Sequence, residues 1–481
     1  MEITSNNVIT NLFWRFFERC GAQGVSFIVS LVLARLLEPE VYGIIAIVTV
    51  FTALLNVFVD SGFGVALIQK KDADETDFST VFYFNIAFSL FLYLVIFLLA
   101  PLIAEFYAMP ELCLIIRVLC ITVLFSGIRN VQQAYLSRNM MFKKSFYVAL
   151  ISTIGSAIIG IGMAIAGFGV WALVGQQLSS AIITTFTLWF IIKWRPILAF
   201  SFSRLKSMFS FGWKLLASAL IDTLYKDLRT LIIGKMYTTS DLAFYNKART
   251  FPNFVVSNIN SSIDSVLLPA MSAVQNDKLG VKAMTRRAIK LSTYIMMPLM
   301  IGLAVCSESV ISLLLTDKWL PCVPYMRIFC ITMAFYPMHT ANLNAIKAMG
   351  RSDFYLKLEI MKKIVGLALL FSSMWFGVMA MAYTLLISSL VSQIINSWPN
   401  KKLLNYGYLQ QIKDIGENAA LAIAMGAIVF CIKFLNLNDI LTLIVQVILG
   451  AIIYIAGSML FRLESYNYLL HTLKNLFNRR G

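Results

Sequence analysis

Apolar runs of about twenty residues recur from one end of the chain to the other, broken by short charged clusters or by Gly and Pro. At ~1.5 Å rise per residue, such a run spans a ~30 Å hydrocarbon core as a helix, where every backbone polar group must be satisfied internally. The breaks place spans near 11–33, 42–66, 80–104, 112–135, 146–166, 170–192, 208–233 and 243–268. Six more fall near 288–314, 325–348, 355–377, 378–398, 415–435 and 439–461. No interval between them could hold a soluble domain. The pattern predicts an all-α polytopic membrane protein with about 14 transmembrane helices.

The pattern also repeats. RVLCIT at 117–122 returns as RIFCIT at 327–332, a shift of 210 that sets Arg129 against His339. Asn56, Asp60 and Ser61 meet Asn260, Asp264 and Ser265 at a shift of 204. Shifts this close predict a duplicated six-helix unit with small loop differences. Two copies that begin on the same side of the membrane are related by a pseudo-two-fold along its normal, and transporters so built bind substrate between their halves. The expected division is a six-helix lobe over 1–195, a second over 196–400, and a helix pair with a cytoplasmic tail over 401–481.

Composition adds weight to this reading. The 481 residues are 59% hydrophobic and only 13% charged, with mean hydropathy +0.78, more apolar than a soluble chain can cover. A net charge of +16 raises the question of nucleic acid, but Lys and Arg are scattered through membrane loops and gather on no soluble face. They favour alternate loops: Lys70, Lys71, Arg138, Lys143, Lys144, Lys193, Arg195, Arg204 and Lys206 in the first half, with Lys278, Lys282, Arg286, Arg287, Arg351, Lys357, Lys401, Lys402 and Lys413 after them. The positive-inside rule then puts both termini in the cytoplasm and requires an even number of spans. MEITSNNVIT lacks a basic n-region, and Arg15, Glu18 and Arg19 interrupt the next apolar run, so it is expected to be a retained span and not a signal peptide.

Metal and nucleotide chemistry find no support. The seven cysteines make no CxxC pair and read as free buried thiols; His339 and His471 are the two histidines. No metal site, cofactor or catalytic group is expected, and no phosphate-binding glycine loop of the GxxxxGK[ST] kind is present. KKDADETD at 70–77 reads as a solvated loop.

Polar residues inside the spans are the candidates for function, since a charge at the bilayer centre costs about 2.5–3.5 kcal/mol on insertion scales. Asn246, Thr250, Asn253, Ser257, Asn260 and Asp264 recur at three- and four-residue steps and form one stripe. Thr49, Thr52, Asn56 and Asp60 form a thinner one. Either a wet cavity or interhelical hydrogen bonding would account for them. The spans opening each half add Arg15, Arg19, Lys214, Asp222, Lys226, Asp227 and Arg229. Arg15 could instead snorkel to the interface, and Asp222 could neutralise Lys226 one turn away. Together Arg15 and Arg19 in the inner half, with Lys226, Arg229, Lys247 and Arg249 in the outer half, outline a cationic interior suited to an anionic headgroup such as pyrophosphate. Asp60 and Asp264 are expected to pair with the inner arginines, to take up protons, or to serve as buried structural acids.

LVLARLLEPEVYGIIAIV at 31–48 and FVDSGFGVALIQKKD at 58–72 resemble the polysaccharide transporter (Wzx-type) family of the multidrug/oligosaccharidyl-lipid/polysaccharide flippase superfamily. That resemblance implies a flippase, not an enzyme. Such a protein carries undecaprenyl-pyrophosphate-linked oligosaccharide across the bacterial cytoplasmic membrane for exopolysaccharide, capsule or O-antigen synthesis. It also implies headgroup binding by Arg15, Arg19, Lys226, Lys247 and Arg249, a lipid tail near the last two spans, and a polymerase and glycosyltransferases as neighbours by analogy. Alternating access, coupled to H+ or Na+ or to the membrane potential, is the expected mechanism. The rivals are an ion-coupled multidrug exporter, whose cavity should be net acidic, a membrane polymerase or glycosyltransferase, which should carry a large extramembrane domain, and a scramblase or scaffold.

Overall fold

The computed structural model describes residues 21, 23–60, 62–70, 72–435 and 437–478. The chain runs through α1 (Gln23–Leu36), α2 (Pro39–Asp60), α3 (Phe63–Gln69), α4 (Glu75–Tyr107), α5 (Glu111–Leu119), α6 (Ile121–Arg138), α7 (Phe142–Ile165), α8 (Val170–Ile191) and α9 (Phe202–Met236). It continues through α10 (Thr239–Ala273), α11 (Lys278–Val305), α12 (Ser307–Leu315), α13 (Cys322–Ala334), α14 (Tyr336–Ala348), α15 (Ser352–Ser373), α16 (Val378–Leu404), α17 (Tyr408–Phe430), α18 (Asp439–Leu460) and α19 (Glu464–Asn478). Packing divides it into two compact units, 1–243 and 244–481, with the boundary inside α10.

In the first unit α4 packs on α5 and α6, α6 on α8, and α7 on α8, while α9 lies along α2. In the segment 70–77, Asp72, Asp74 and Glu75 are exposed as a solvated loop would have them, but Asp77 is not. Asp74 accepts the Asp77 N–H at 2.9 Å and Asp77 accepts the Asp74 N–H at 3.2 Å, a reciprocal cap that starts α4. The Asp77 side chain is fully buried; Lys70 meets it at 2.6 Å and Arg204 at 3.3 Å, and Arg204 also pairs with Asp74. The connector into α9 is fixed to the same place, because the Ile197 and Ser201 N–H groups donate to Ser79 Oγ and Thr80 Oγ1 at 3.0 and 3.1 Å. Beneath it, Phe63, Phe78, Phe82, Trp194 and Met208 form an aromatic-rich core.

In the second unit α11 is the central post, contacted by α13, α14 and α17, with α18 packed on α17. The Tyr294 hydroxyl donates to Ser458 Oγ at 3.0 Å, and the Tyr454 hydroxyl donates to the Tyr294 carbonyl at 2.9 Å, joining α11 to α18. Asn342, Asn400 and Gln411, all fully buried, tie together α14, α16 and α17. Asn342 and Gln411 exchange two 2.8 Å hydrogen bonds, and Asn400 Nδ2 donates to Asn342 Oδ1 at 2.6 Å.

Some contacts recur at the shift of 210 positions. Arg117 Nε donates to the Phe97 carbonyl at 3.3 Å, and Arg327 Nε, 210 positions later, donates to Ser307 Oγ at 3.2 Å. Phe168-Gly169-Val170 and Phe376-Gly377-Val378 make matching interhelical turns with glycine at positive φ, 54° and 100°.

Eight stretches among the described residues are long and apolar enough to cross a membrane: Pro39–Gln69, Glu75–Tyr107, Glu111–Arg138, Phe142–Ile165, Lys278–Val305, Val378–Leu404, Tyr408–Leu435 and Asp439–Leu460. α9 and α10 have 35 residues each, roughly 52 Å of helix, and they carry most of the candidate polar residues. Several expected spans are subdivided. The run 112–135 breaks at Cys120, 325–348 at Phe335, and 288–314 at Cys306. Of the cysteines, Cys113 is half-buried and Cys431 exposed, whereas Cys120, Cys306, Cys322 and Cys330 are buried and free.

Candidate functional site

Both hydroxyls of the α2 stripe turn back on their own helix: Thr49 donates to the Ile45 carbonyl at 2.5 Å and Thr52 to the Thr49 carbonyl at 3.0 Å. Asn56 Nδ2 does the same with the Thr52 carbonyl at 2.8 Å, which leaves Asn56 Oδ1 buried and without a hydrogen-bond partner among the described residues. The corresponding residue of α10, Asn260, also has an unpaired buried Oδ1. One turn beyond each asparagine stands a carboxylate. Asp60 Oδ1 accepts from Asn130 Nδ2 at 2.8 Å, and Asp264 Oδ1 accepts from Asn344 Nδ2 at 2.7 Å. Each unit therefore holds the same constellation: an unsatisfied amide oxygen, a carboxylate four residues later, and an asparagine donor on α6 or α14.

This geometry fixes the register of the repeat within those helices. Asn130 and Asn344 are 214 positions apart, four more than Arg117 and Arg327. The difference matches helix length, since α13 has 13 residues and α5 has 9. Arg129 consequently corresponds to Leu343, not to His339. His339 lies elsewhere, 2.9 Å from Asn396 Nδ2.

The first unit adds a charge. Asp60, Gly64, Arg129, Asn130, Gln133 and Ser137 line an open recess of about 280 Å³. A Cβ on Gly64 would lie 3.0 Å from Asn130 Oδ1, so glycine lets the amide sit beside α3. Arg129 Nη2 donates to Ser126 Oγ at 3.1 Å. A carboxylate, a guanidinium and amides facing one opening can hold a polar or ionic group that lipid would reject.

The remaining predicted residues are spread along the two long helices. Arg15 and Arg19 lie outside the described residues. On α9, Asp222 is half-buried, Lys226 exposed and Arg229 buried. On α10, Lys247 is buried with its ammonium 5.8 Å from the Trp319 ring centre. Arg249 is half-buried, its Nε without a hydrogen-bond partner among the described residues, and Asn253 and Asp264 are exposed. Asn130 and Asn344 were not singled out from sequence; an asparagine in an apolar helix gives no sign of its partner until the repeat is registered in space.

The model of the polysaccharide biosynthesis protein family matches residues 32–324. The chain belongs to that family. This polysaccharide biosynthesis protein is 26% identical over 416 residues to the teichuronic acid biosynthesis protein TuaB of Bacillus subtilis, covering 84% of this chain and 85% of the relative. It is 22% identical to the succinoglycan biosynthesis transport protein ExoT of Rhizobium meliloti, covering 73% and 71%. The fold resembles that of the lipid II flippase MurJ in an inward closed conformation, with TM-score 0.76, 16% identity, and coverage of 96% of this chain and 100% of the other. The family member is a multi-pass transmembrane polysaccharide biosynthesis transporter of the Wzx-like group, with the fold of the multidrug/oligosaccharidyl-lipid/polysaccharide flippase superfamily, and not an enzyme.

Proposed function

We propose that this transporter flips an undecaprenyl-pyrophosphate-linked oligosaccharide from the cytoplasmic to the outer leaflet of a bacterial cytoplasmic membrane, for exopolysaccharide, capsule or O-antigen synthesis. Relatives named for teichuronic acid and succinoglycan synthesis, and a fold resembling a lipid II flippase, support a lipid-linked sugar as cargo. The observation that carries the reading is the duplicated constellation of Asn56, Asp60 and Asn130 with Asn260, Asp264 and Asn344. A membrane protein that keeps unsatisfied amides and carboxylates at matching positions of both repeats has a use for them, because each is costly against lipid.

In this scheme about fourteen spans form two six-helix lobes and a final pair, with both termini cytoplasmic. The lobes comprise 1–195 and 196–400, and 401–481 supplies the pair. Arg15, Arg19, Lys226, Lys247 and Arg249 bind the pyrophosphate within a cationic interior. Asp222, Asn253 and Asn260 line the sugar path, and Asp60 and Asp264 exchange partners as access alternates. H+ or Na+, or the membrane potential acting on headgroup charge, drives the cycle. A polymerase and glycosyltransferases work on the same glycan.

The test is an accessibility assay in spheroplasts of a host making the cognate glycan. A membrane-impermeant glycosidase should reach the lipid-linked oligosaccharide when the wild type is present. With Arg129→Gln, the oligosaccharide should accumulate out of its reach. Equal accessibility with and without the protein would reject the proposal.

A further inference from the structure

A second charged recess lies far along the chain from the Asp60 site, between α11 and α19. Arg286, Arg287, Lys290, Glu464, Ser465 and Tyr468 line a cavity of about 150 Å³. Its cations fall into two classes. Arg286 is spent on Asp414, with Nε at 3.0 Å from both carboxylate oxygens and Nη2 at 2.9 Å from one. Lys290 is spent on Glu464 at 2.5 Å, with Asp414 at 3.7 Å. Arg287 is exposed, and its guanidinium stacks 4.9 Å from the Tyr468 ring centre with no carboxylate in salt-bridge range among the described residues. Three cations thus face two carboxylates, Asp414 and Glu464, which leaves one net positive charge, and Arg287 keeps its full hydrogen-bonding fork for a ligand.

The level of this recess relative to the membrane follows from sequence and contacts together. Lys290 is the last charged residue of α11; residues 291–305 carry none. α18 is uncharged from Ile440 to its end, and Arg462 follows. Ser458 and Tyr454 meet Tyr294, and Ser465 Oγ donates to the Lys290 carbonyl at 3.4 Å. Both helices therefore pass from apolar to charged at one height, and the recess sits at that boundary. α19, which turns off immediately after Arg462, has apolar residues Tyr466, Leu469 and Leu470 beside polar Asn467 and His471, the alternation of a helix that lies in a membrane interface.

We propose that the α11/α19 recess binds a phosphate-bearing anion supplied by the headgroup of an anionic glycerophospholipid, distinct from any transported cargo. Arg287 holds the phosphodiester through its guanidinium, which the Tyr468 ring positions at the recess. Net positive charge at the edge of the hydrocarbon selects anionic over zwitterionic lipid. The acyl chains remain in the bilayer.

The full chain would be purified from mixed phosphatidylglycerol and phosphatidylcholine nanodiscs and its retained lipid counted by native mass spectrometry. Wild type should retain phosphatidylglycerol in preference, and Arg287→Gln should reduce retention about five-fold, the worth of one interfacial cation. Tyr468→Leu should reduce it as well. Lys413→Gln, which removes an exposed charge outside the recess, should retain the wild-type level. Equal retention of the two lipids, or unchanged retention in both recess variants, would overturn the proposal. So would displacement of the lipid by millimolar inorganic phosphate, which would make the recess a site for the free ion.

Discussion

Asn344 holds Asp264 by a 2.7 Å hydrogen bond across 80 residues of chain, with the donor almost wholly buried and the acceptor exposed. The donor is therefore set by packing, and the carboxylate is presented. A hydrogen bond to a charged group contributes about 1.5–3 kcal/mol. Asn344→Leu should lower the thermal midpoint of the detergent-purified protein. Asp264→Asn, which keeps size and acceptor oxygen but not the charge, should lower the midpoint less than Asn344→Leu while reducing transport about ten-fold or more, as loss of a group on the transport path does. Wild-type transport by Asp264→Asn would make the pair a strut and nothing more.

Gly43 tests how closely the first unit is packed. A Cβ there would sit 1.9 Å from the backbone carbonyl oxygen of Thr239, and a backbone atom cannot rotate away. Overpacking of a core typically costs ~1–3 kcal/mol, and contact with backbone lies at or above the top of that range. Gly43→Ala should sharply reduce the monodisperse fraction in size-exclusion chromatography.

The Asn342, Asn400 and Gln411 cluster makes a different demand. Replacing Asn342 by leucine removes the shared acceptor and leaves the amides of Asn400 and Gln411 buried and short of partners. Each orphaned group costs about 1–3 kcal/mol. Thermal unfolding should show a larger loss for Asn342→Leu than for the exposed Asn253→Leu.

Acid stability should carry the signature of the α4 cap. The Arg204 hydrogen bond, then the Asp77 N–H, hold the Asp74 carboxyl at about 2, below its ordinary 3.8. A carboxyl depressed by folding lends stability above its unfolded pKa and loses it as pH falls through the folded one. The contribution is therefore full above ~pH 4 and fades between ~pH 4 and ~pH 2; exposure of Asp74 keeps it small. Asp74→Asn retains a capping side chain and should flatten that part of a thermal-midpoint profile against pH.

Much of this was legible in the chain because lipid imposes a simple code. Every expected run from 42–66 to 439–461 holds described helix, although eight stretches among the described residues, not fourteen, are long and apolar enough to cross a membrane. Interruptions were harder. Cys120 and Phe335 break helices without charge, and the turn at Gly169 returns at Gly377 with only the flanking Phe and Val in common. Asp77 misled through its neighbours: a run of acids reads as solvated, yet Lys70 and Arg204, one of them 127 positions away, close over it. The Asp60 and Asp264 positions were found by the repeat itself. Their donors were not, because a register that slips by four residues between helices is a property of packing.

The most direct test of the flippase account is reconstitution. Purified wild type, Asp60→Asn and Arg19→Ala would be placed in liposomes, and outward movement of a polyprenyl-pyrophosphate oligosaccharide followed by its accessibility to an impermeant glycosidase, with protein-free liposomes as control. The account predicts movement by the wild type well above the control and its loss in both variants while they remain folded. A folded wild type that moves no more lipid-linked sugar than protein-free liposomes would contradict it.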